Sequence, residues 1–334
     1  MTGLERIRRS VRFEPTDRVP VAPLLGAHAV ALAGLPHERA CQEATAQAEA
    51  LLQAVETYQP DAIFTLMDLS AEPEALGAGA EMRPGQPPVI IRHLHRDQLD
   101  TGTLEERILT ARVPVFVETV SRLRDAVDDS TFVGALICGP LTAGSNAVGI
   151  EAFSRMLRRE RDLVASLLTR LAAACIRLVR QHAQAGAHGV MLLEPVATSV
   201  ILGPPDLEAL LLPRLQEIAR AAHESGLLSM LHVCGDCCSS LPLLADTGAD
   251  VLSLDAPVDL PAARQIVSGK TALMGNLDVR HLLPHDTPDA VYQQARALVS
   301  EVNGTGGFIL STGCEIPPET PRENVAHFMA AAQP

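Results

Sequence analysis

The sequence predicts a closed (β/α)8 TIM barrel, eight parallel strands alternating with helices, and three observations lead to it. Eight short apolar runs bounded by turn residues recur along the 334 residues. Longer segments with helical spacing lie between them, which is the rhythm of parallel βαβ units. Residues suited to chemistry stand at the ends of several runs, where a barrel of this kind assembles its active site.

The runs fall at residues 19–25, 62–66, 132–137, 190–193, 227–233, 251–254, 272–274 and 308–310. They are continuously apolar rather than alternating, as strands buried on both faces are. The first is interrupted by Pro20 and Pro23, neither of which can donate to a ladder. Among the helical segments, Leu207, Leu210, Leu211, Leu215 and Ile218 share one face, with Pro213 expected to kink or divide it. Residues 151–185 contain no Gly or Pro and suffice for one long helix or two short ones. Thr287 and Pro288 supply an N-cap and first helical position for a helix through residue 302. Two insertions separate the second and third strands: a hairpin over 83–96 and extra helix over 105–127, interrupted at Pro114. No linker divides the chain, so residues 1–334 are expected to form a single barrel domain.

Composition narrows the function. Apolar residues make up 47% and charged residues 20%, an ordinary soluble profile. With no Trp, two Tyr and seven Phe, the core must be aliphatic. The net charge of −13 argues against nucleic acid and anionic membranes, which reward clustered Lys and Arg. No apolar stretch is long enough to span a bilayer, and the basic start lacks the apolar region of a secretory signal. Seven cysteines in such a chain read as reduced thiols, which points to the cytoplasm.

The most informative residues are His232-Val-Cys234-Gly235-Asp236 and, some way downstream, Thr312-Gly313-Cys314-Glu315. One imidazole and two thiols are ligands that Zn2+ favours, and three protein ligands leave a fourth position for a substrate. Such a site suits an incoming thiol. His232 and Cys234 close the fifth run and Cys314 follows the eighth, so a barrel brings them to one mouth. The two-residue spacing puts His232 and Cys234 on the same side of an extended chain. A rival reading takes Cys234-Gly-Asp-Cys237 as a redox C-x-x-C, which leaves His232 and Cys314 without a role. Cys237 and Cys238 otherwise read as packing at a helix start, and Cys41, Cys138 and Cys175 as core. His93 and His95, flanked by Arg92 and Arg96, read as solvated.

Longer stretches carry a resemblance. They are Arg12-Phe-Glu-Pro-Thr-Asp-Arg-Val-Pro20, Met67-Asp-Leu-Ser-Ala-Glu-Pro-Glu-Ala-Leu-Gly77, Gly139-Pro-Leu-Thr142, Leu231-His-Val-Cys-Gly-Asp236, Met274-Gly-Asn-Leu-Asp278 and Ser311-Thr-Gly-Cys-Glu-Ile-Pro-Pro-Glu-Thr-Pro321. Over nearly its whole length the chain resembles the uroporphyrinogen decarboxylase superfamily, and within it the methylcobamide:coenzyme M methyltransferase branch. That resemblance implies a zinc ion on His232, Cys234 and Cys314, a small thiol as methyl acceptor, and a methylcorrinoid as co-substrate, brought by a corrinoid protein. The decarboxylase branch carries an Arg-bearing segment after its first strand, whereas here Pro23-Leu-Leu-Gly-Ala-His-Ala29 has none. A lyase of that type, and a methyltransferase that demethylates a small substrate onto a corrinoid protein, stand as alternatives. At other strand ends, Glu194 and Asp255 are candidate catalytic residues, and Asp68 and Asn276 candidate cofactor-binding residues.

Overall fold

The computed structural model describes residues 1–99, 104–198, 201–302 and 306–333. In chain order its strands are β1 (Ala62–Phe64), β2 (Gly79–Arg83), β3 (Gln86–Arg92), β4 (Phe132–Cys138) and β5 (Gly189–Leu193). Then come β6 (Leu228–Val233), β7 (Val251–Leu254), β8 (Ala272–Leu277) and β9 (Phe308–Thr312). Seven of them form one parallel sheet in the order β1-β4-β5-β6-β7-β8-β9, while β2 and β3 pair antiparallel as a separate hairpin.

The expected first strand is much shorter than its apolar run. It is reduced to a single bridge, Val21 to Leu310 of β9. Around it, Ala22 N donates to Leu310 O at 2.9 Å and Asp61 N donates to Val21 O at 2.8 Å. This stave therefore touches β9 on one side and the residue entering β1 on the other, which closes the barrel. Pro20 and Pro23 have no N–H to extend the ladder. Asp61 reinforces the closure: its carboxylate accepts Val21 N at 2.7 Å and pairs with Arg6 and Arg18, each at 2.6 Å.

Side chains leave each strand alternately to two layers. Phe64, Phe132, Met191, Met230, Met274 and Ile309 fill the barrel interior, with Leu4 and Ile7 of the helix Gly3–Val11 packed beneath them. Ile63, Val133, Val190, Leu192, Leu231 and Leu252 face outward into the core shared with the helices. Both faces are dry, hence the unbroken apolar runs. The interior is filled to contact: a Cβ on Gly134 would lie 2.4 Å from the ring of Phe64. The first helix covers the end where strands begin, since Gly3 N donates to Ser130 O and Ser10 Oγ to Phe308 O, each at 2.8 Å. Chemistry is left to the opposite end.

Several boundaries differ from expectation for local reasons. Residues 151–185 divide at Glu160, whose φ of −138° leaves the helical region, into helices Ile150–Arg159 and Arg161–Gln184. A π-helical turn at Leu207–Leu211 precedes the helix Leu212–Glu224, so Pro213 sits in a first turn where its missing N–H costs little. Pro114 likewise begins the helix Val113–Val127 instead of breaking one. The hairpin starts at Gly79, ahead of the expected residue 83. The helix at 288–302 is as expected, Thr287 Oγ1 accepting Ala290 N at 3.3 Å. Among the described residues, no helix is long and apolar enough to cross a membrane.

Candidate metal centre

His232 is the fifth residue of β6 and lies fully buried at its C-terminal end. The parallel register sets it beside Ser253 of β7, and the two side chains meet, His232 Nδ1 lying 3.0 Å from Ser253 Oγ. Two residues on, as extended geometry requires, the sulfur of Cys234 is 3.0 Å from His232 Nε2. Cys314, just past β9, brings its own sulfur to 3.7 Å from that of Cys234. One ligand atom from each of the three residues lies within 4.8 Å of the other two.

The loops that carry the thiols are tied to one carboxylate. Asp255 accepts Gly235 N at 2.8 Å with one oxygen and Ala256 N at 2.7 Å with the other. Gly313 passes so close that a Cβ there would lie 2.8 Å from both Asp255 Oδ1 and Ala256 N. Asn276 holds the same turn, its amide donating to Asp255 O at 3.0 Å and Val258 O at 2.6 Å. Asp255 therefore contacts the backbone beside Cys234 and Cys314, and Asn276 fixes the turn that bears Asp255.

The electrostatics favour a thiolate. Hydrogen bonding from Cys234 pushes the Cys314 thiol well down against its burial, while Cys234 is pushed up by the same contact and by burial. The donor set also suits a tetrahedral ion: two sulfurs on one zinc, each about 2.3 Å away, stand roughly 3.8 Å apart. The observed 3.7 Å fits. The 3.0 Å from Nε2 to Cys234 Sγ is a hydrogen-bond distance. It is shorter than the roughly 3.5 Å two ligands of one zinc would keep, so a small outward turn of the thiol is required.

Two other predicted residues make their contacts elsewhere on the rim. Glu194 is fully buried and caps the helix Pro140–Val148, accepting Leu141 N and Thr142 N at 2.9 Å and Thr142 Oγ1 at 2.7 Å. Burial nevertheless pushes its carboxyl up to about 7. Only its backbone reaches the histidine, Glu194 N donating to His232 O at 2.9 Å. Asp68 accepts Ser70 N at 2.8 Å and pairs with buried Arg112, which also holds Glu74.

Sequence reasoning missed three contributors. Glu315 follows Cys314, accepts Met67 N at 3.1 Å and is pushed up to about 8, chiefly by burial. Its position beside a proposed ligand was the available signal. Ser253 and Arg112 gave none, because only register and folding bring them to their partners. Of the other thiols, Cys41, Cys138, Cys175 and Cys237 are buried as packing residues, but Cys238, expected to pack at a helix start, is exposed. His93 and His95 are exposed, as expected.

The profile of the family described as uroporphyrinogen decarboxylase (URO-D) matches residues 2–334. The chain belongs to that family. Within the uroporphyrinogen decarboxylase family, a methylcobamide:CoM methyltransferase MtbA of Methanosarcina mazei is 26% identical, over 99% of this chain and 98% of its own length. A uroporphyrinogen decarboxylase of Syntrophotalea carbinolica is 28% identical, over 86% of this chain and 83% of its own. Identity alone therefore does not choose between the two chemistries. Among solved structures, a methyltransferase from Methanosarcina mazei superposes with a TM-score of 0.90 at 24% identity, covering 99% of this chain and 98% of that one, which establishes the uroporphyrinogen decarboxylase-like barrel.

Proposed function

We propose that this chain is a methyltransferase that moves a methyl group from a methyl-Co(III) corrinoid to the sulfur of a small thiol. The observation that carries the reading is the convergence of His232, Cys234 and Cys314 at the barrel mouth. Zinc bound there would supply a Lewis-acidic position that keeps the substrate thiol as its thiolate near neutral pH. In the reaction the carbon–sulfur bond forms as the carbon–cobalt bond breaks, and cobalt departs with the electron pair as Co(I).

The chain's own residues orient this chemistry. Ser253 fixes the imidazole plane, and an Nδ1–H donated to it leaves Nε2 as the nitrogen facing the thiols. With zinc bound, both cysteine sulfurs would be anionic and keep the centre electron-rich, so that an added thiolate would stay nucleophilic. Asp255 positions the cysteine loops and Asn276 holds the turn of Asp255, while Asp68 and Glu194 act at the rim. With the chain proposed to be a single domain, the corrinoid would arrive on a partner protein docking over the mouth.

Support against a decarboxylase comes from residues 23–29. Their one ionisable side chain, His28, is buried against Tyr58 at 2.9 Å and pushed down to about 4 by burial, so it offers substrate carboxylates no cation. The relatives' names add the methylcobamide chemistry. The test is metal analysis joined to turnover. Purified protein should hold zinc near one per chain and convert methylcobalamin to cob(I)alamin with some member of a thiol panel. The Cys314→Ser variant should lose both. Zinc-free protein that is fully active would end the proposal.

A further inference from the structure

Outside the cysteine–histidine cluster lies a small internal cavity, with about 10 Å³ open to the centre of a water molecule. It sits between β4 and the helices Ala71–Ala75, Val113–Val127 and Arg161–Gln184. Most of its wall is apolar and buried, from Val113, Phe116, Leu136 and Leu178. Besides Asp68, two polar residues break that wall: Glu72, 5% exposed, and His182, 1% exposed.

Each has an atom without a protein partner. Glu72 Oε1 accepts Cys138 N at 2.9 Å, but Oε2 accepts nothing, and His182 Nδ1 is likewise unpaired. A buried polar atom left unpaired forfeits its hydration with no return, and native interiors rarely tolerate two around one space. The volume is about that of one water, and an internal water typically takes two to four hydrogen bonds from such groups.

We infer that this cavity is a built site for one water molecule, bridging Glu72 Oε2 and His182 Nδ1. Proton accounting is consistent with it. Burial pushes Glu72 up to about 7 and His182 down to about 4, so between those values both are neutral. The Glu72 hydroxyl then donates to the water, and the water donates one hydrogen to His182 Nδ1. Asp68, the third polar residue in the wall, is the available acceptor for the other hydrogen. The bridge ties the helix Arg161–Gln184 to the segment that follows β1, where Met67 and Asp68 border the mouth.

A crystal structure resolving ordered solvent, with a double-mutant cycle, tests the site. One compact peak within hydrogen-bond reach of both side chains is expected. Glu72→Met and His182→Leu should each lower Tm, and the double variant should lose less than the sum, because the second change removes a group already without its bridge. If the single variants fail to fold, Glu72→Gln offers a softer probe. Its amide can still reach the water, so Tm should stay near wild type. A dry cavity, a cation with several short oxygen contacts, strictly additive Tm losses, or a collapse of Glu72→Gln would overturn the inference.

Discussion

Ser253 and His232 sit side by side on neighbouring strands, hydroxyl to Nδ1 at 3.0 Å, both fully buried. In the proposed zinc site His232 would ligate through Nε2 and carry its proton on Nδ1, with Ser253 as the acceptor that holds it there. Removing such a partner commonly weakens metal binding by about 10- to 100-fold. Ser253→Ala is therefore expected to release zinc to a chelator at a concentration lower by that factor, with the fold unchanged by circular dichroism. Ser253→Thr keeps the hydroxyl and should restore most of the affinity. Equal zinc affinity in all three proteins would separate Ser253 from the metal.

Gly26 shows how closely the mouth is packed. It opens the helix Gly26–Leu32, and an added Cβ would stand 1.9 Å from Glu315 Oε1. Helix propensity alone makes Gly26→Ala stabilising by about 1 kcal/mol. Displacing a buried carboxyl that holds Met67 N opposes this, and overpacking of this kind costs about 1–3 kcal/mol. The crowding should win, giving net destabilisation in urea titration and reduced turnover. In Glu315→Ala the obstacle is gone, and adding Gly26→Ala should then be neutral or better. An additive pair would mean that residues 26 and 315 are independent.

Most of the barrel was readable because buried parallel strands leave continuous apolar runs, and seven of the eight expected became strands. The first did not, since Val21 pairs between prolines and its run advertises more ladder than two missing N–H groups allow. His232, Cys234 and Cys314 were readable for a different reason: their chemistry is uncommon and their places in the strand rhythm coincide. Ser253 and Arg112 were not, as a serine in a strand and an arginine before a helix acquire meaning only from register and tertiary contact. Glu194 illustrates the converse. Its strand-end position marked it out, yet its oxygens are directed at a helix N-terminus.

Barrel closure makes a stability prediction. Asp61 joins Arg6, Arg18 and Val21 N from a buried position, so its removal strips Arg18 of its counter-charge, while Arg6 keeps Asp17 at 2.6 Å. Breaking a buried pair by deleting one partner costs about 3–5 kcal/mol. Since both arginines keep some exposure, Asp61→Ala should fall near the lower end, read as a shift in urea midpoint at constant slope. Asp61→Asn keeps an acceptor for Val21 N and should lose less. A variant as stable as wild type would show that the prolyl stave closes the barrel without this carboxylate.

Acid sensitivity follows from buried imidazoles. Burial pushes His28, His182 and His188 each down to about 4. In the unfolded chain they titrate near 6.5, so below that pH unfolding takes up protons and stability falls until about pH 4. Three carboxyls oppose this. Glu72 and Glu194, raised to about 7, and Glu315, raised to about 8, keep their protons longer in the folded chain, so their contribution is greatest at low pH and is lost as pH rises through those values. The wild-type profile is thus flattened between the two sets, and a difference experiment is needed to expose either one. His182→Leu removes one imidazole and leaves the remaining titrating groups common to both proteins. Measured by urea unfolding, the variant should gain on wild type as pH falls from 7 to 4.5, by roughly 2–3 kcal/mol. A gap that does not change with pH would mean that His182 is protonated as readily folded as unfolded, which its burial forbids.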